Sequence, residues 1–295
     1  MKRLVFGVLI LITQMTQAQT STDSLALLKG MWKFREVSPG LVWKHFHFSE
    51  KQLFGSNQNI NVLDTKLKNK KLKFAFVSAD TPGDTARKLL KTSALAEYSH
   101  ALAAINGTFF NVKNAGSEDL LKIEGKLLDT TTYLVGKPLL EHKQAAITIQ
   151  KRKVEIERAP GEMAYGWDKK LTQPNVMVTG PLLLWEGKPV PLKKTAFNDN
   201  RHPRTALCIT KDKHLLMVTV DGRTAEAYGM SLHELTFILK QFGCINAVNL
   251  DGGGSTTMII KDQPYSGVVN MPCDNKLFDH LGERAVSNVF VIQAR

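Results

Sequence analysis

The sequence predicts a single-domain α+β fold built on a large, mostly antiparallel or mixed sheet with a few packed helices. Three observations lead there. Short apolar runs recur along the chain and are separated by turn residues, as in Lys151-Arg152-Lys153, Glu186-Gly187-Lys188 and Lys211-Asp212-Lys213-His214. Runs joined so tightly pair as hairpins, whereas parallel strands need long crossovers. Helical periodicity is confined to two stretches, and no repeat, low-complexity tract or long linker divides the chain.

The N-terminus is read separately. Met1-Lys2-Arg3 is followed by an apolar run from Leu4 to Ile12, and Thr16-Gln17-Ala18 ends in a small residue. A basic start, a short apolar stretch and a small-residue exit predict a signal peptide, residues 1–18, cleaved after Ala18. The run is shorter than the roughly 20 residues that cross a bilayer. An exported protein, periplasmic or extracellular and without stable membrane insertion, is therefore expected. Residues 19–40 read as a mixed lead-in, with Ser24 to Leu28 either a short helix or a partly ordered stretch, and residues 41–295 as the domain.

Within that domain, Asn59 to Leu67 and Leu72 to Ser78 read as strands around a lysine-rich turn. Asp84 to Tyr98 reads as a helix, with Thr81-Pro82-Gly83-Asp84 as its start. Ala101 to Ile105 is a short strand running into Asn106-Gly107-Thr108. Ala145 to Gln150 and Val154 to Arg158 form a hairpin. Val176 to Val178 and Leu182 to Trp185 follow, and then Thr205 to Thr210 pairs with Leu215 to Val220. The best helix starts at Ser231, which with Glu234 forms a capping box. Leu232, Leu235, Ile238, Leu239 and Phe242 make its apolar face, and Gly243 ends it. The strands Ala247 to Leu250, Ser255 to Ile260 and Ala285 to Ile292 complete the chain.

Lys and Arg outnumber Asp and Glu by 12, and ten remain once Lys2 and Arg3 are removed. Such a surplus favours anionic partners. No nucleic-acid recognition motif is present, so nucleic acid is not expected as a partner. The chain has three cysteines, Cys208, Cys244 and Cys273, in no zinc or redox spacing. One disulfide is compatible with an oxidising compartment but the sequence does not choose it, and Cys208 and Cys244 read as small buried residues. HExxH, GxSxG, P-loop and Rossmann signatures are all missing.

The sharpest chemical signal is Asn249-Leu250-Asp251-Gly252-Gly253-Gly254-Ser255-Thr256-Thr257. A strand delivers the Asp251 carboxylate to three glycines, more than a hairpin turn requires. Glycine N–H groups in such a turn can cup an anion, and Ser255 and Thr256 add hydroxyl donors. Asp221-Gly222-Arg223 offers a second carboxylate and a guanidinium at another strand end, just ahead of the capped helix. Asn106 and Asn111 flank two aromatic residues and suit sugar hydroxyls. Arg201, Arg204 and Arg284 suit phosphate oxygens, which guanidinium groups bind in bidentate fashion. His202 is a lone loop histidine.

Taken in order, several segments resemble the phosphodiester glycosidase family. They are Ile105-Asn106-Gly107-Thr108-Phe109-Phe110, Gly180-Pro181-Leu182-Leu183, His202-Pro203-Arg204-Thr205-Ala206, Val220-Asp221-Gly222-Arg223, Gly229 to Leu235, Ala247 to Thr256, and Glu283-Arg284-Ala285-Val286-Ser287-Asn288. Thr108 departs from the second glycine that the family often has there. The resemblance implies a hydrolase that takes a sugar from a sugar-1-phosphodiester or a phosphorylated glycan, with no cofactor. Asp251 and Asp221 are then the expected catalytic carboxylates. Asn106, Asn111, Arg201, Arg204, Arg223, Gly252, Gly253, Ser255, Thr256 and Arg284 are expected to bind substrate. No ligand-spacing pattern supports a divalent cation between Asp221 and Asp251. A glycan-binding protein without turnover, and a phosphodiesterase cutting the P–O bond, are the alternatives.

Overall fold

The computed structural model describes residues 22–80 and 86–295. The predicted signal peptide and the whole Thr81–Asp84 helix start lie outside those residues. Three antiparallel sheets carry the fold. The largest has eight strands, in the spatial order Lys33–Ser38, Leu41–Leu53, Ser56–Lys66, His214–Val220, Arg204–Thr210, Cys244–Asn249, Leu182–Trp185 and Lys188–Pro189. Every neighbouring pair in it is antiparallel. A five-stranded sheet holds the predicted hairpin Ala145–Gln150 and Lys153–Arg158 together with Asn175–Thr179, Leu121–Ile123 and Lys126–Asp129. A four-stranded sheet runs Met258–Ile260, Ala101–Asn106, Asn288–Ala294 and Leu72–Ser78.

Residues 19–40 contribute more than a lead-in. Lys33–Ser38 is the edge strand of the large sheet, and residues 22–29 are helical, with Leu27 in the core beneath them. The helix expected from Asp84 to Tyr98 begins only at Thr92. Leu90–Lys91 pairs instead with Ala285–Val286, so a partner far along the chain takes the backbone groups that a longer helix would have used. The strand expected from Ser255 is also shorter: Gly253–Ser255 is a 3-10 turn and the strand is Met258–Ile260.

The helix Leu232–Gln241 is as expected. Ser231 Oγ accepts from the Glu234 N–H, and the Glu234 carboxylate accepts from the Ser231 N–H. Its apolar stripe of Leu232, Leu235, Ile238 and Leu239 packs on Leu183, Ala206, Val218 and Ala247 of the large sheet. The other face of that sheet meets the remaining two sheets through Leu207, Met217, Val248, Ile147, Ile105 and Phe290. Covered on both faces, the strand Arg204–Thr210 is buried at every position. Cys208 and Cys244, on neighbouring strands with Cα atoms 5.9 Å apart, form a disulfide. The pair is thus buried as expected but bonded, and Cys273 is the free thiol.

Candidate active site

Both predicted catalytic carboxylates leave the large sheet at the same end. Asp221 follows Val220, which is opposite Arg204, while Asp251 follows Leu250, whose N–H donates to Thr205 O at 2.8 Å. The strand Arg204–Thr210 runs between them, so the two backbones stand about 10 Å apart, two strand spacings.

The turn after Asp251 is held by its surroundings. Asp251 N–H donates to Gly107 O at 3.1 Å, Gly253 N–H to Pro203 O at 2.9 Å, and Gly252 N–H to the Asp251 carboxylate at 2.9 Å. The N–H groups of Gly252 and Gly253 therefore bond within the protein and do not form the anion cup expected of them. The glycines serve close approach instead. A methyl group on Gly252 would stand 2.7 Å from Pro203 O. One on Gly253, where φ is +60°, would stand 3.0 Å from Arg223 Nη2. One on Gly254 would overlap Asp274 and stand 2.5 Å from Arg284 Nη2. Two guanidinium groups thus lie on the turn beside Asp251, and only residues without a Cβ allow it.

Burial pushes the Asp251 carboxyl up to about 6, opposed by the Ser255 hydroxyl, the Gly252 N–H and the Arg284 charge. The hydroxyls of Ser255, Thr256 and Thr257 are all buried with no hydrogen-bond partner among the described residues, and that of Ser255 lies near enough to Asp251 to favour the ionised carboxylate. Arg284 holds Asp274 through Nε and Nη2, both at 2.7 Å. Arg223, at φ +70°, has no carboxylate partner among the described residues; its Nη1 is 3.9 Å from Cys273 Sγ.

Asp221 is placed differently. Its two oxygens accept from Asn59 Nδ2 at 2.7 Å and Asn270 Nδ2 at 2.8 Å, and it is buried. Burial raises its pKa, and the two amides oppose this. Asn270 also donates to Thr256 O at 2.9 Å and accepts from Met258 N–H at 2.8 Å. Asp221 therefore fixes the amide that fixes the far side of the triglycine turn, and each of its oxygens already accepts from an amide.

Arg204 and Arg201 are corrections to the expected phosphate clamp. Arg204 is buried, donates to the carbonyls of Met230, Phe197 and Asn200 at 2.6–3.0 Å, and stacks on the Phe197 ring at 4.8 Å. Burial and the Arg223 charge lower its pKa to about 10. Arg201 pairs with Glu234 at 2.5 Å and bonds Phe54 O, so it anchors the helix cap. Asn106 is buried and fully engaged: Nδ2 donates to Asp251 O at 2.7 Å, and Oδ1 accepts from Thr205 Oγ1 at 2.7 Å and Thr257 N–H at 3.2 Å. It ties the turn down and leaves nothing for a sugar. Asn111 accepts from the N–H groups of Lys113 and Asn114 and closes its own loop. His202 sits beside Arg204 and Arg223, and burial together with both charges keeps its imidazole neutral.

Asp251, Ser255, Thr256, Arg223 and Arg284 come together at this turn, and the structure adds Asp274, Asn59, Asn270 and Cys273 around them. A family model for phosphodiester glycosidases matches residues 99–293. The chain belongs to the phosphodiester glycosidase family. That family consists of hydrolases that release a sugar from a phosphodiester.

Two curated relatives match shorter segments of this chain. The SPbeta prophage-derived protein YomE of Bacillus subtilis is 34% identical over 96 residues, 32% of this chain. The N-acetylglucosamine-1-phosphodiester alpha-N-acetylglucosaminidase of Mus musculus is 40% identical over 57 residues, 19% of this chain. The matched segments span only 15% and 11% of those relatives. The zebrafish N-acetylglucosamine-1-phosphodiester alpha-N-acetylglucosaminidase catalytic domain, described as auto-inhibited by its pro-peptide, shares the fold. Its TM-score is 0.67 and its identity 22%, over 88% of this chain and 86% of that one.

Proposed function

We propose that this chain hydrolyses a sugar-1-phosphodiester at the bond between the anomeric carbon and the phosphate oxygen. The observation that carries the proposal is the pair of guanidinium groups, Arg223 and Arg284, resting on the triglycine turn beside Asp251. A phosphodiester group bridging them gains charge-assisted hydrogen bonds that strengthen as negative charge develops on the departing oxygen. A phosphate leaving group is a stable anion and needs little protonation, which removes part of the work of a glycosidase acid. The Asp251 carboxylate, ionised above about pH 6, faces the positive charge that grows on the sugar ring.

Hydrolysis in water enriched in oxygen-18 tests this. Label in the released sugar supports the proposal; label in the phosphate means P–O cleavage and overturns it. Turnover of a panel of sugar-1-phosphodiesters by wild type and Asp251→Asn tests the residue. Equal activity of the two removes Asp251 from the mechanism, and glycan binding without turnover by either supports a non-catalytic role.

Export belongs to the same proposal. The basic, apolar and small-residue order of residues 1–18 supports it, as does the Cys208–Cys244 disulfide, because such bonds persist in oxidising compartments. No helix among the described residues is long and apolar enough to cross a membrane.

A further inference from the structure

Asp119 is completely buried, and its one hydrogen bond is to His142, with Oδ2 2.6 Å from Nδ1. The other oxygen has no hydrogen-bond partner and lies 3.7 Å from Lys143 Nζ, whose short bond goes to Thr132 O. A carboxylate taken from water needs strong partners, and here the strong one is an imidazole. The His142 side chain is 29% exposed, and its Nε2 has no hydrogen-bond partner among the described residues. The arrangement holds one imidazole nitrogen and presents the other outward.

Two independent runs of contacts connect this pair to the Asp251 turn. A methyl group on Gly180 would overlap Glu141 O and stand 3.1 Å from His142 Cα. Gly180 O in turn accepts from Asn249 Nδ2 at 3.1 Å, two residues before Asp251. On the other side the His142 ring meets Phe109 edge-on at 5.9 Å. Phe109 follows Gly107, whose carbonyl accepts the Asp251 N–H. The Phe109 ring also meets Phe197 at 6.1 Å, and Phe197 carries the Arg204 guanidinium. His142 thus stands on an aromatic wall running to the strand that flanks Gly252.

We propose that the His142–Asp119 pair is the second acid–base group of this cleft, with Nε2 taking the proton of the attacking water. The inference rests on the glycosidase reading above. The water oxygen forms the bond to the anomeric carbon. The bond from that carbon to the phosphate oxygen breaks, and its electron pair leaves with the phosphate held by Arg223 and Arg284. The water proton passes to Nε2, and Asp119 stabilises the imidazolium. Asp119 bonds the imidazole and Lys143 stands near the other Asp119 oxygen; Arg204 lies beyond the Phe109 and Phe197 rings, and the Glu141 carboxylate is turned away to Asn198 and the Lys193 N–H.

The test uses the full chain and the best sugar-1-phosphodiester of the panel. His142→Gln is expected to lower kcat about 100-fold or more with KM little changed, to leave only the Asp251 limb in the pH–rate profile, and to regain activity with added imidazole. Asp119→Asn is expected to lower kcat about 10-fold to 100-fold with KM little changed, because Nδ1 loses the partner that fixes the ring. A folded His142→Gln protein with wild-type kcat and an unchanged profile overturns the inference while leaving the glycosidase reading intact. If His142→Gln does not fold, the kcat of Asp119→Asn decides, a wild-type value counting against the pair. If wild type turns over no member of the panel, the glycosidase reading fails. The ring-nitrogen NMR signal of His142 titrated with α-glucose 1-phosphate then decides whether the imidazole lines the cleft: a shifted Nε2 signal supports that placement and an unmoved one overturns it.

Discussion

Arg284 grips Asp274 with two parallel hydrogen bonds of 2.7 Å directly over Gly254. The pair is only partly exposed, and the Arg284 guanidinium also feels the Asp251 charge. Gly254→Ala pushes both side chains off the turn. Its expected effect is a loss of kcat/KM of about 10-fold to 100-fold with a Tm near that of the wild type, since the displaced groups lie at the surface. Steady-state kinetics beside a thermal melt checks it, and unchanged kinetics would contradict the placement of Arg284.

Arg204 and Arg223 separate by different measurements. Arg204→Met leaves three backbone carbonyls without their donor in the core, so a loss of stability of about 3 kcal/mol is expected in denaturant unfolding. Arg223→Met removes an exposed guanidinium with no carboxylate partner among the described residues. Stability should then stay within about 0.5 kcal/mol, while KM for a phosphodiester rises and competitive inhibition by inorganic phosphate weakens. Reversal of this pattern would exchange the roles of the two arginines.

Asp251 links activity and stability in opposite directions. Burial favours its protonated form, so the folded protein holds this proton up to about pH 6 while the unfolded chain releases it near 3.8. Between these values the unfolded state binds fewer protons, and this group's contribution lowers stability as pH rises. Asp251→Asn removes that penalty, which reaches at most about 3 kcal/mol above pH 6. A higher Tm at pH 7.5 than wild type, little or no difference at pH 3.5, and loss of turnover are expected together. In wild type, kcat should rise through about pH 6.

The Cys208–Cys244 bond closes a stretch of 36 residues that includes the strand His214–Val220 and the capped helix. Constraint of the unfolded chain by such a loop is worth about 3–4 kcal/mol. Reductant, or the double change to Ala, should lower Tm by several degrees without altering the pH optimum. An equal Tm under both conditions would show that the bond is dispensable.

The strands and the capped helix were legible because their signals are local: alternation, turn residues and a Ser231–Glu234 box within one helical turn. The Asp251 turn was legible for the same reason, since three adjacent glycines are conspicuous in any chain. What sequence did not show was which arginine faces the cleft. Arg204 opens a strand that is covered on both faces, and that covering comes from elements far away in sequence. Asn59 and Asn270 were missed because each meets Asp221 across a large separation, 162 and 49 residues. The Leu90–Lys91 pairing was hidden likewise, its partner being Ala285–Val286.

The strand Asn288–Ala294 lies inside its sheet, between Ala101–Asn106 and Leu72–Ser78, and Asn288 receives the N–H groups of Gly107 and Thr108. Gly107 is the residue that holds Asp251. Synthesis therefore supplies this support of the Asp251 turn 180 residues after Thr108, and the earlier segments wait with an open sheet edge. A nascent chain held before that moment offers an unpaired strand to its neighbours, so aggregation during folding is the hazard this topology carries.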